Sequence, residues 1–334
     1  MKTPVLRGAV ALAVLLASAF PMRQSLAQGA GARAPQQQWW VYKTQGGVYT
    51  GINRPLWKLS DIKRLHAGQD NWQQQIVATI EQEASYNSAA PGTAFGRRMN
   101  PDTATLFVVM AGEMHFSVEG QPEVTATRGS IVNVLESTIF SYAAAGAQNS
   151  LWVEVHPSNY KTVYPAADAP PPPVSGSQIV KVAFNHTPGT YVAPNQLHRN
   201  FFAAVAACAP LGVHVNEDHH YASALAGFAN PGDPDDKCPH GPGGPPAGAG
   251  LAPFNPKSTF GHMHAGMTEW WIIQSGHMDG RIENAGEFHA EEGDVMAAPA
   301  STWHQMSYEG PGLSERLAIT AFPFNNMNNT APAP

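Results

Sequence analysis

The chain has 334 residues, 13% of them charged, a formal net charge of −6 and no basic run or stripe. That length makes two ordinary domains, each able to bury a core, and the absence of a basic patch argues against nucleic acid as a partner. Glycine and proline together number 60, an excess that suits short strands and turns rather than long helices.

Lys2 and Arg7 precede an apolar run from Gly8 to Phe20 that is too short to span a bilayer. Ser25-Leu26-Ala27 then places small residues where a signal peptidase reads, so cleavage is expected after Ala27. No arginine pair marks the twin-arginine route, which leaves the general secretion route. Losing residues 1–27 removes Lys2, Arg7 and Arg23 and no acid, which takes the formal charge from −6 to −9. No later run offers ~20 continuous apolar residues. The expected product is an acidic periplasmic or secreted protein, free of the membrane.

Residues 28–38 (QGAGARAPQQQ) read as a disordered leader, with order beginning near Trp39-Trp40. Ser60 to His66 reads as a short helix capped by Ser60. Apolar positions scattered among Gln, Thr and Glu over 72–87 read as one long strand. The proline-rich stretch 165–174 is an extended spacer, and it separates a first segment, 39–164, from a second, 175–330.

The two segments are related. Shifted by 164 residues, 98–140 aligns on 262–304 without a gap and with nine identities in 43 positions, where chance gives roughly two or three. Gly112 falls on Gly276, Glu119 on Glu283, Gly129 on Gly293 and Ser137 on Ser301; Leu106-Phe107-Val108-Val109 faces Trp270-Trp271-Ile272-Ile273. Each unit is a series of β-rich runs parted by Gly or Asn, which predicts an all-β antiparallel sandwich or barrel used twice. Residues 208–256 have no counterpart in the first half and read as a loop insertion, either a lid or a surface excursion. His219-His220 within it reads as a solvated turn. Cys208 and Cys238 both survive signal cleavage into an oxidising compartment. A disulfide between them, worth ~3 kcal/mol in the chain-entropy model, is the simplest reading; thiolate metal ligation would want a CxxC partner that the sequence lacks.

The chemistry concentrates in FGHMHAGMTEWWIIQSG and, sixteen residues on, GDVMAAPASTWH. On a strand, His262 and His264 point to one side; Glu269 opens the next apolar run, and His304 follows a turn bearing Gly293 and Pro299. Three imidazoles and a carboxylate suit one divalent transition metal (iron, copper or manganese, with zinc admitted), with positions left for water or substrate. With Glu269 facing a barrel lumen, Trp271 and Ile273 face it too and line a substrate pocket. No lysine lies between His262 and His304, and Arg281 falls in a hairpin. The Trp and Ile of the lumen favour a partly apolar organic substrate over a small dianion such as oxalate, and the missing lysine argues against a site built around a carboxylate substrate.

The spacing His-x-His-x4-Glu-x6-Gly, met by His262, His264, Glu269 and Gly276, resembles the first motif of the cupin superfamily. Gly293, Pro299 and His304 meet the second, with Ser301 in place of its last glycine. Further departures, Pro256 for Gly and Tyr308 for Asn, touch turns rather than ligands. The resemblance implies tandem double-stranded β-helix (jelly-roll-like) barrels, as in the bicupins. It places the ligand positions of the first barrel on Arg98, Asn100, Thr105 and Phe140, a set implying that this barrel supports its neighbour without holding metal. It also admits a homodimer. The function implied first is an oxygenase acting on an aromatic or enolic small molecule, with Glu269 as ligand and proton acceptor. The alternatives are a non-oxidative manganese or zinc enzyme (decarboxylase, isomerase or hydrolase) and a non-catalytic binding protein for a small molecule or metal.

Overall fold

A computed structural model of the chain describes residues 40–43, 46–165, 175–191, 196–203, 217–224, 227–229, 261–307, 315–322 and 327–328. The expected signal segment and leader, most of the proline-rich spacer, and Cys208 and Cys238 with their expected disulfide lie outside these residues. Among them, no helix is long and apolar enough to cross a membrane.

The elements of the first half are β1 (Leu56–Trp57), α1 (Leu59–Leu65), β2 (Trp72–Ala78), β3 (Gln82–Ala89), β4 (Ala94–Arg98) and β5 (Thr105–Ala111). They continue with β6 (Glu113–Val118), β7 (Val124–Thr127), β8 (Ser130–Val134), β9 (Phe140–Ala145) and β10 (Ser150–Pro157). The second half holds β11 (His198–Asn200), β12 (Glu217–Ala224), β13 (Gly227–Ala229), β14 (His262–Met263), β15 (Glu269–Ser275) and β16 (His277–Ile282). After these come β17 (Gly286–Glu291), β18 (Val295–Ala298), β19 (His304–Ser307), β20 (Glu315–Phe322) and β21 (Met327–Asn328). One barrel is made by the sheets β11-β8-β5-β10-β3-β2 and β4-β9-β6-β7, the other by β1-β18-β15-β20-β12-β13 and β17-β16-β19-β14-β21. The chain is therefore two double-stranded β-helix barrels, as the repeat predicts.

The repeat runs further than sequence identity shows. β5 and β15 share the register Val109↔Trp152 and Ile273↔Arg316 with their neighbours β10 and β20, so the gapless correspondence extends to Trp152 with Arg316, Glu154 with Ala318 and His156 with Thr320. Backbone conformation repeats as well: Gly112 and Gly276, Gly129 and Gly293, and Ser137 and Ser301 all have positive φ. Ser301 explains why the resembling family favours glycine at its position. Its φ of 59° is held by two bonds to the segment after β14, Ser301 N–H to the His264 carbonyl (2.6 Å) and Ser301 Oγ to the Ala265 carbonyl (2.9 Å), which offset the cost of a left-handed serine.

Both central strands are buried on both faces, which is why they read as unbroken apolar runs rather than alternating ones. Phe107, Val109, Trp271 and Ile273 fill the lumens; Leu106, Val108, Trp270 and Ile272 enter a core shared by the two barrels. Hydrogen bonds cross this core from Trp270 Nε1 to Gln82 Oε1 (2.8 Å) and from the Tyr86 hydroxyl to the Gly293 carbonyl (2.6 Å).

The barrels also exchange arms. Leu56–Trp57 pairs not with the barrel that follows it but with β18 of the second, and His198–Asn200 pairs with β8 of the first. The arms match residue for residue. Gly47 N–H donates to Thr302 Oγ1 (2.8 Å) as Gly189 N–H does to Thr138 Oγ1 (2.9 Å), and Tyr49 and Tyr191 hold the strands at Ala297 and Leu135. Sequence order, which places 56–57 with the first barrel and 198–200 with the second, does not capture this crossing.

Three local expectations are corrected. Residues 72–87 form two strands, β2 and β3, paired antiparallel. The break comes at Thr79, whose hydroxyl accepts from the N–H groups of Glu81 and Gln82 (3.2 and 3.0 Å), a local bond that competes with the extended ladder. The short helix starts at Leu59 with Lys58 at the cap position and no side-chain cap of its own; Asp294 of the other barrel accepts from Leu59 N–H at 2.8 Å. His219-His220 lies not in a turn but on β12, parallel to β20, where ladder hydrogen bonds outweigh the polar composition.

Candidate metal centre

His262 and His264 flank Met263 in and after β14, Glu269 opens β15, and His304 opens β19 opposite His262. Their ligand atoms all lie within 4.8 Å of one another. Glu269 Oε2 is 2.7 Å from His264 Nε2, 2.9 Å from His304 Nε2 and 3.5 Å from His262 Nε2, and the two outer imidazole nitrogens, of His304 and His262, are 3.2 Å apart. His264, Glu269 and His304 are buried, whereas the His262 side chain keeps 22% of its surface; the open side of the cluster is therefore at His262. Among the described residues this is the one group of three or more His, Cys, Asp or Glu able to hold a metal.

The donor chemistry fits a divalent cation. His304 Nδ1 lies 3.0 Å from the Thr302 carbonyl, which can only accept, so the proton sits on Nδ1 and Nε2 presents a lone pair to the cluster. Burial holds the His304 imidazole below its ordinary value, against the pull of Glu269. Burial alone would raise the Glu269 carboxyl, but the three imidazoles outweigh it and hold the group well below the carboxylate range. A bound cation would take over from the imidazoles the balancing of this buried carboxylate charge.

The chain approaches the cluster through Gly261, at φ +75°. A Cβ there would lie 2.4 Å from the His304 carbonyl oxygen and 2.7 Å from the Trp303 ring. Gly261→Ala is thus expected to cost about 2 kcal/mol or more, since the left-handed backbone alone costs ~1–2. It should also weaken metal uptake by forcing β14 from β19; thermal melts and metal titration of the variant check both.

The lumen beside the ligands holds Trp271, Ile273, Met278 and Met296 with the small side chains Ala290, Ala298 and Ala318. The Trp271 ring meets His304 edge-on, 5.1 Å between centroids. Sequence reading missed Arg316. Its guanidinium is buried in this lumen, donates to Met278 Sδ (3.4 Å) and lies 5.9 Å from the centre of the Trp271 ring; burial brings its pKa down to about 9. The span between His262 and His304, where no lysine lies and Arg281 falls in the hairpin, gave no sign of this cation. Arg316 lies beyond His304 in the chain and reaches the site only because β20 pairs with β15. The alternation Arg316, Ala318, Thr320 on that strand was the available signal.

At the equivalent level of the first barrel, Asn100 Nδ2 donates to Thr105 Oγ1 (2.6 Å), and Phe140 packs edge-on against Phe107. Arg98 lies over the rings of Phe95, Tyr142 and Tyr164. Glu154 accepts from Tyr142, Trp152 and His156. Burial pushes its carboxyl up, and the hydrogen bond and charge of His156, with Arg98, bring it below the ordinary value. A depressed carboxyl stabilises the fold fully above the unfolded value of ~4.3, and that contribution is lost as pH falls through the lower folded value. Apoprotein carrying Glu154→Gln should accordingly lose less stability than wild type between about pH 5 and about pH 3, as read by urea midpoints across that range.

No family model matches the chain, and no curated protein matches it. Among solved structures, the salicylate 1,2-dioxygenase from Pseudaminobacter salicylatoxidans superposes with a TM-score of 0.51 at 12% identity, over 78% of this chain and 81% of that one. A single-residue variant of that enzyme in complex with gentisate gives 0.52 at 11% identity, over 79% and 80%. The chain shares the fold of that enzyme, two double-stranded β-helix barrels in tandem. Within it, the His–His–Glu–His cluster belongs to the C-terminal barrel, and both halves of the chain take part in the likeness.

Proposed function

We propose that this protein is a metal-dependent oxygenase that acts on an aromatic or enolic small molecule at one centre, in the lumen of the C-terminal cupin barrel, after export from the cytoplasm. The observation that carries the reading is the cluster of His262, His264, Glu269 and His304, enclosed on three members, open at His262 and walled by Trp271. The bound metal would supply Lewis-acid and redox chemistry at its free positions. The protein's own residues would set the rest. Glu269, ionised and buried, can accept a proton from an acidic substrate hydroxyl; Trp271 and Ile273 exclude water; Arg316 adds positive charge behind the ring. The salicylate dioxygenase likeness supports this reading by fold analogy. The N-terminal barrel, with Arg98, Asn100, Thr105 and Phe140 at the matching positions, would support its neighbour without a metal.

The test is oxygen consumption by protein reconstituted separately with Fe(II), Cu(II), Mn(II) or Zn(II), against a panel of catechols, hydroxybenzoates and flavonols. Substrate-dependent uptake with iron or copper is the expected result. Turnover without oxygen would replace the reading by a non-oxidative metal enzyme, and stoichiometric metal with no turnover of any compound by a binding protein.

A further inference from the structure

Among the described residues, the indole N–H of Trp271 and the hydroxyl of Thr320, in the lumen of the C-terminal barrel, have no hydrogen-bond partner; they are exposed by 1% and 0%. Both flank the metal ligands. Thr320 stands directly across from Glu269 in the β15–β20 register, and Trp271, two residues along the same face, touches His304 edge-on. Buried donors and hydroxyls are almost always paired, and leaving one unmatched is costly.

The first barrel shows what pairing looks like at these positions. Phe107, in the place of Trp271, has no N–H to satisfy. His156, in the place of Thr320, is met by Glu154 and Thr105, and the indole of Trp152 finds Glu154 as well. In the second barrel the residue in the place of Glu154 is Ala318, cross-strand from Trp271. The acceptor that would quiet a lumen indole is missing there, and a methyl group stands cross-strand from the ring. Arg316, two residues away on the same face of β20 and 5.9 Å from the centre of the Trp271 ring, adds positive charge that favours an ionised oxygen here.

We propose that Trp271 Nε1 and Thr320 Oγ1 form a substrate subsite that binds one oxygen of a planar, doubly oxygenated aromatic or enolic molecule whose other oxygen faces the metal ligands. The proposal rests on the oxygenase reading of the same centre and narrows it, because a substrate with a single oxygen would leave one of the two stations unmet. The Thr320 hydroxyl can donate or accept, so it serves a phenol and a phenolate alike.

The test uses full-length mature protein loaded with Zn(II), labelled with nitrogen-15 at its indoles, and two probes: 4-nitrocatechol, with adjacent oxygens, and 4-nitrophenol, with one. Wild type should bind 4-nitrocatechol more tightly. Trp271→Phe and Thr320→Val, each with metal content unchanged, should weaken 4-nitrocatechol by roughly 3- to 10-fold, the loss of one hydrogen bond, and weaken 4-nitrophenol less. The indole resonance absent from Trp271→Phe should move downfield in wild type on adding 4-nitrocatechol. Wild-type affinity in both variants, or a resonance that stays in place, would overturn the subsite and assign the two groups to ordered water. Zinc uptake without 4-nitrocatechol binding would overturn the substrate class while sparing the metal centre. Failure to take up zinc would sink the centre itself. Should Trp271→Phe not fold, Thr320→Val decides alone, since a buried Thr to Val exchange keeps shape.

Discussion

Replacing His304 by alanine is expected to strip the protein of its metal, with affinity falling by more than ~100-fold, because changes to groups that merely orient a ligand already cost ~10–100-fold. His304 is the member of the cluster with the most fixed geometry. It is 1% exposed, its Nδ1 proton is held by the Thr302 carbonyl, and its Nε2 lies within 3.2 Å of both Glu269 and His262. Removing it leaves His262, which is part-exposed, and His264 to share the charge with Glu269. The measurement is metal content after reconstitution and dialysis, beside the thermal shift that metal confers on wild type, which mass action makes proportional to the logarithm of affinity. His289→Ala is the control: that imidazole lies on an exposed hairpin, paired with Asp279, and its loss should leave metal content at the wild-type level. Wild-type loading of the His304 variant would mean that the cluster is not the metal centre.

The second large effect is on stability. Trp270→Ala should cost ~3–5 kcal/mol, the range for emptying a buried tryptophan site. The side chain is fully buried in the core common to both barrels, and its indole N–H reaches Gln82 of the first barrel at 2.8 Å. The substitution therefore removes packing and a cross-barrel hydrogen bond at once. Trp270→Phe, which keeps most of the volume, should cost distinctly less. Urea unfolding of the apoproteins, followed by circular dichroism, reads both. A loss below about 1 kcal/mol, the ordinary effect of a surface or tolerated change, would show that the barrels stand without one another.

The contrast between Trp270 and Trp271 shows where the reading of a sequence ends. Adjacent on β15 and chemically identical, they face opposite ways: one into the barrel joint, one into the lumen beside His304. Alternation along a strand says that they differ. That the outward face would be buried as deeply as the inner one follows only from a second barrel packed against it.

Several features were legible from one dimension because they depend on local spacing. Three histidines and Glu269 at their intervals, glycines between the strand-length runs, and two series of such runs offset by 164 residues point to a repeated β fold and to a candidate set of metal ligands without any knowledge of contacts. What the tertiary structure alone decided depends on partners distant in the chain. Asp294 caps a helix more than two hundred residues away. Leu56–Trp57 and His198–Asn200 cross to the opposite barrels, because each arm completes the sheet edge it meets in space rather than the one that follows it in sequence. Arg316 and Thr320 enter the site through the pairing of β20 with β15, a contact between segments more than forty residues apart in the chain. Periodicity and ligand intervals are properties of the chain; which faces are covered, and by what, is a property of the packed whole.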